Sequence, residues 1–167
     1  MKTSRRAFVI VAVAQVLVVL GFAGFRQAAV SLGTEVVLQT VPVDPRDLFR
    51  GDYVVLTYEI SSLDLCDVAA GQTGYVALTE DPDGVWRASI SGALASFEAA
   101  SDFGDVVIRG RVSGGVGFGP CQMSYGIESY FVPEGTGHRI ERLAGELRVR
   151  VSVSGDGDAV IDELIFP

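Results

Sequence analysis

Between Ala7 and Phe25 lie nineteen residues whose only strongly polar side chain is Gln15. As a helix rising about 1.5 Å per residue, this stretch spans roughly 28 Å, close to the hydrocarbon thickness of a bilayer. A helix in a soluble core needs a polar face, and this stretch has none. It also accounts for much of the mean hydropathy of +0.36, a high value for an acidic chain. Lys2, Arg5 and Arg6 precede the run, and no acidic residue occurs before Glu35. Positive flanks stay on the cytoplasmic side, which places the N-terminus inside and everything after Phe25 outside. Arg26 is a single cation set against those three. The rival is a cleaved signal peptide, whose apolar part is about 7–15 residues and is followed by a small-x-small site. Here the run is longer, and Gln27-Ala28-Ala29 lacks a small residue at its first position. The expected organisation is a signal anchor in residues 1–26 and one exterior domain in 27–167. That describes a single-pass protein of the inner (cytoplasmic) membrane with its domain in the periplasm or beyond.

Four of the cations sit in the anchor segment, so the exterior part is more acidic than the overall net charge of −8. An acidic domain is repelled by nucleic acid and by anionic headgroups, so the membrane contact is expected through the helix alone. Cys66 and Cys121 both fall in the exterior part, where an oxidising compartment permits them to pair. A bond between them and two buried free thiols are both open readings.

After the anchor the apolar period becomes two. Leu147, Val149, Val151 and Val153 alternate with Arg148, Arg150 and Ser152, the pattern of a half-buried antiparallel strand. Val54, Leu56, Tyr58 and Ile60 share a face opposite Tyr53, Val55, Thr57 and Glu59, and Trp86, Ala88 and Ile90 oppose Arg87 and Ser89. Val106, Ile108 and Val112 oppose Arg109 and Arg111. The spacing predicts strands near 35–42, 52–61, 73–80, 84–91, 105–113, 122–132, 145–153 and 158–165. Turns at Glu80–Gly84 and Gly155–Asp158 separate them, and a glycine-rich loop is expected over 114–120. The one helical stretch expected outside the membrane is His138–Leu143. The fold class is mainly β: a single antiparallel β domain, barrel-like or a sandwich, after one N-terminal transmembrane helix.

Two segments cluster polar and aromatic residues beyond what alternation needs. The first is Val43-Asp44-Pro45-Arg46-Asp47-Leu48-Phe49-Arg50-Gly51-Asp52-Tyr53-Val54-Val55-Leu56-Thr57-Tyr58-Glu59; the second runs from Tyr125-Gly126-Ile127-Glu128-Ser129-Tyr130-Phe131 to Val132-Pro133-Glu134-Gly135. Gly51, Asp52, Tyr53, Leu56 and Tyr58, with both flanking motifs, resemble the bacterial GDYxxLxY family of membrane-anchored proteins. The resemblance covers essentially the whole chain. It implies an N-terminal anchor and an exterior domain, brings no established activity or catalytic residue, and points to a multi-pass membrane protein or envelope protein as partner.

The first motif has a structural reading: Asp44-Pro45 begins a turn, Gly51 and Asp52 precede a strand, and Leu56 and Tyr58 fill the core. It also has a functional one. Asp44, Arg46, Asp47, Arg50 and Asp52, with Tyr53, set arginine forks and carboxylates where a carboxylate, a phosphate or a partner protein would meet them. Tyr125, Glu128 and Tyr130 of the second motif complete the candidate binding set if the two segments meet. No catalytic residue, metal ligand or cofactor is assigned. A serine–lysine dyad lacks its lysine, because Lys2 is across the membrane from the domain. His138 is the only histidine, too few for a metal site of the His/Cys kind. The leading expectation is an accessory or interaction module, more a binding protein than an enzyme; the alternative is a carboxylate-based hydrolase or other small-molecule enzyme drawing on both motifs.

Overall fold

Alternating apolar residues dictate where this chain forms strands, and the partners of those strands dictate where they break. A computed structural model describes residues 2–31, 33–42, 53–114, 119–131 and 145–167. They form two compact units, Met1–Gly33 and Thr34–Pro167.

The first unit is helix α1, Lys2–Ser31, which continues past Arg26. Its described side chains, at 8–22 and 24, are almost all exposed, from Phe8 at 73% to Val13 at 52%. Among the described residues no helix is long and apolar enough to cross a membrane.

The second unit is mainly β. Its strands are β1 (Thr34–Val41), β2 (Tyr53–Val55), β3 (Thr57–Tyr58), β4 (Ser62–Leu63), β5 (Leu65–Cys66), β6 (Thr73–Glu80) and β7 (Trp86–Ala88). They continue with β8 (Gly92–Ala93), β9 (Val106–Gly114), β10 (Cys121–Ser124), β11 (Ser129–Phe131), β12 (Arg148–Val153) and β13 (Ala159–Ile165). A short helix, α2 (Phe97–Ser101), precedes β9. One sheet runs β13-β12-β1-β3 and another β4-β10-β9-β6-β7; β11-β2 and β5-β8 are two-stranded ribbons. The sheet curls as an antiparallel half-barrel.

Register explains the core. Val36 lies opposite Val151, and Leu38 opposite Val149, so the apolar rows of β1 and β12 meet on one face. These four, with Leu56, Tyr58, Val76, Leu78, Ile108 and Val112, are essentially inaccessible to solvent. Burying a Val, Leu or Ile side chain is worth about 1.5–3 kcal/mol, so this continuous row dominates the domain's stability.

Two expected strands are corrected. Residues 52–61 do not form one strand, because β2 pairs with β11 while β3, two residues on, pairs with β1. The chain changes partner at Leu56 and then closes a 3-10 turn at Glu59–Ser61. Residues 122–132 break between β10 and β11, where Gly126 sits at φ +82°, a conformation that favours glycine.

Helix α2 was not expected. Ser96 caps it by accepting a hydrogen bond from the Ala99 N–H. Ala100 and Phe97 then cover Ala77 and Val107, so the outer face of β6 and β9 is buried at that point. The Tyr75 and Phe97 rings meet edge to face at 6.0 Å. The expected helix at His138–Leu143, and 115–118 of the glycine-rich loop, lie outside the described residues.

Candidate functional site

The two motifs meet in the fold, and their backbones form one ribbon. In the β2–β11 pair Tyr53 is opposite Phe131, Val54 opposite Tyr130 and Val55 opposite Ser129. The Leu56 N–H extends the ribbon by donating to the Glu128 carbonyl at 2.7 Å. Two tyrosines then tie the motifs reciprocally. The Tyr58 hydroxyl donates to the Ile127 carbonyl at 2.7 Å, and the Tyr125 hydroxyl donates to the Ile60 carbonyl at 2.5 Å.

Both tyrosines are buried, at 0% and 6% exposure. Burial pushes each phenol well above its ordinary pKa, and the negative charge of Glu128 adds to the rise. They stay protonated hydrogen-bond donors, and neither serves as a base or a nucleophile near neutral pH. The Tyr125 ring fits because Gly110 leaves room beneath it: a Cβ there would stand 2.8 Å from the ring.

Glu128 is committed too. One carboxylate oxygen accepts the Tyr125 N–H and the other accepts the Gly126 N–H at 2.9 Å, fixing the turn that carries Gly126 at positive φ. Of the candidate binding residues, then, Tyr125 and Glu128 hold the fold together with their polar atoms. Tyr130 is half-buried and packs against the core. Asp44, Arg46, Asp47, Arg50 and Asp52 lie outside the described residues, as does 132–135 of the second motif, and Tyr53 is described by its backbone alone.

The ribbon exposes two large apolar side chains to solvent. Phe131 is 78% exposed and Val55 is 49% exposed. Val55 lies opposite Ser129, the next residue but one before Phe131, so alternation puts all three on one face. Sequence reasoning missed this face because it weighed the polar residues of the second motif. The signal was there: Phe131 falls out of phase with the buried Val54, Leu56 and Tyr58 once the pairing is known.

The model of the GDYXXLXY protein family matches residues 15–164, most of the chain. The chain belongs to the GDYXXLXY family. No curated protein and no solved structure matches it. Of the residues that give the family its name, Leu56 is 1% exposed and Tyr58 fully buried. The second half of the GDYXXLXY motif is therefore a core element fastened to the Tyr125–Phe131 segment.

Three other features involve no residue of the β2–β11 ribbon. Arg87 joins Asp81 at 2.5 Å, Asp83 at 3.0 Å and Glu59 at 3.5 Å, closing the Glu80–Gly84 hairpin. Hydrogen bonds from Arg87 and the Val85 N–H hold the Asp83 carboxyl down at about 2. These aspartates are turn residues held by an arginine. Cys66 and Cys121 are joined, with Cα atoms 6.0 Å apart, and both are buried. The bond ties β5 to the start of β10. A cleft of about 510 Å³ is lined by Gln39, Glu146, Arg148 and Phe166, among others, and by no motif residue. Among the described residues no three His, Cys, Asp or Glu gather to hold a metal ion.

Proposed function

We propose that this GDYXXLXY protein is a membrane-anchored binding module: α1 holds it in the membrane, and the exterior domain presents the β2–β11 ribbon to a membrane or envelope partner. The observation that carries the binding role is the division of labour within the two motifs. The polar groups of Tyr58, Tyr125 and Glu128 are consumed internally, while Val55 and Phe131 stand exposed on the joined ribbon. An exposed aromatic on a rigid ribbon contributes to association through area removed from water, and it has no chemistry to offer a substrate. The charged run Asp44–Asp52 adjoins Tyr53 in sequence.

A carboxylate-based hydrolase is the weaker reading. It draws on a carboxylate of the second motif, and of the two there Glu128 is already engaged by two backbone N–H groups.

The anchor rests on α1. Eleven large apolar side chains between Phe8 and Phe22 are at least half exposed. They include the consecutive residues 8–11 and 16–20, so they cover every side of the helix. Leaving them in water forgoes roughly 15–30 kcal/mol of burial, far more than the few kcal/mol that one glutamine amide costs in hydrocarbon.

The topology has a direct test. A reporter active only outside the cytoplasm, fused after Pro167, will be active, and the protein will stay in the membrane pellet after alkaline extraction with Met1–Phe25 intact. Recovery of a soluble form with a new N-terminus near Ala29 would show that the segment is removed and does not anchor.

A further inference from the structure

Gln15 is the single polar interruption of the Ala7–Phe25 run, and it lies within one residue of the midpoint. Its side chain is exposed, and among the described residues it has no hydrogen-bond partner. If α1 anchors the chain, this amide sits at the depth where water is scarcest and an unmet donor and acceptor cost most. An amide is self-complementary: its carbonyl accepts what a second amide's NH2 donates. Any second copy has the same flanks and the same topology, so its helix is parallel and its Gln15 lies at the same depth.

The positions around Gln15 fit that arrangement. Phe8, Gln15 and Phe22 recur at seven residues, with Val11 and Val18 between them at the spacing of a parallel coiled-coil seam. All five fall within about 80° of helix azimuth, and their described side chains are exposed. In a parallel, in-register pair the residues at seven-residue spacing face their own copies, which brings the two Gln15 amides together. A lone polar residue at such a position sets register and partner number.

We infer that α1 mediates self-association in the membrane, with a second copy of this chain seated on the Phe8–Phe22 seam and paired through Gln15. This rests on the anchor reading above. It makes the functional unit a pair of exterior domains whose two ribbons act together on a partner.

The test uses the full-length chain in native membranes, with single cysteines introduced along α1 and oxidative crosslinking read as dimer on non-reducing gels. Val11→Cys and Val18→Cys are expected to crosslink about tenfold more than Leu17→Cys and Leu20→Cys on the opposite side. Adding Gln15→Leu is expected to cut that dimer about tenfold, whereas Gln15→Asn retains most of it. Equal crosslinking all round the helix, or a seam indifferent to Gln15→Leu, overturns the inference. So does an adduct to a different polypeptide in place of the homodimer. Alkaline extraction of the same membranes separates the two failures. Release of the chain overturns the anchor reading and this inference with it; retention without seam crosslinks overturns the inference alone.

Discussion

Replacing Leu56 with Ala will destabilise the Thr34–Pro167 unit by about 2–5 kcal/mol, read as a shift of the urea midpoint of full-length protein in detergent. Leu56 is 1% exposed, so truncation leaves a cavity among the side chains around Tyr58 and Val54. Its N–H also holds the Glu128 carbonyl, and a shifted backbone there weakens the junction of the two motifs. Phe131→Ala on the same ribbon will change stability by no more than about 0.5 kcal/mol, because that side chain is mostly in water. The contrast separates core from surface inside the motif region. Equal losses for the two variants would mean that the ribbon's outer face is itself packed, and the binding role assigned to it would fail.

The second large effect concerns the bond between Cys66 and Cys121. Its partners are 55 residues apart in sequence. Closing a loop of that size restricts the unfolded chain, and removing the bond by the double change to Ser will cost about 2–5 kcal/mol. The strands it joins are short: β5 has two residues and β10 four. Protein unfolded in denaturant and treated with a thiol reagent will take up label only after reduction. Label taken up without reductant would show free thiols in the native chain.

How much of this was legible in the sequence depended on how local the cause was. The Leu147–Val153 alternation identified a strand and its buried face, since period two with one apolar side leaves few alternatives, and all four apolar residues are buried. Val54, Leu56, Tyr58 and Ile60 were read as one buried face, and they are buried even though the strand changes partner in their midst. Alternation reports side-chain direction and is silent about partners. Helix α2 escaped because five residues make little more than one turn, too short for a helical period to emerge; the Ser96 cap was its only local mark.

The roles of Tyr125 and Glu128 were hidden for another reason. A tyrosine and a glutamate in a polar motif look like surface, yet the Tyr125 hydroxyl is satisfied by a carbonyl 65 residues away. That pairing depends on how β2 and β11 come together, and no single segment encodes it. Glu128 was in principle readable: a carboxylate two residues after a glycine is well placed to hold the turn's own N–H groups.

We propose above all that the outward face of the β2–β11 ribbon meets a partner at the membrane. Site-specific photo-crosslinking in native membranes tests it most directly, with the probe at position 131 and, as control, at 103. Phe103 is also exposed, at 53%, but follows α2 and is no part of the ribbon. A discrete adduct with a membrane or envelope protein is expected from position 131, lost when Val55 is changed to Asp, and no such adduct from position 103. The same adducts from both positions, or none from position 131 in membranes that retain the folded protein, would contradict it.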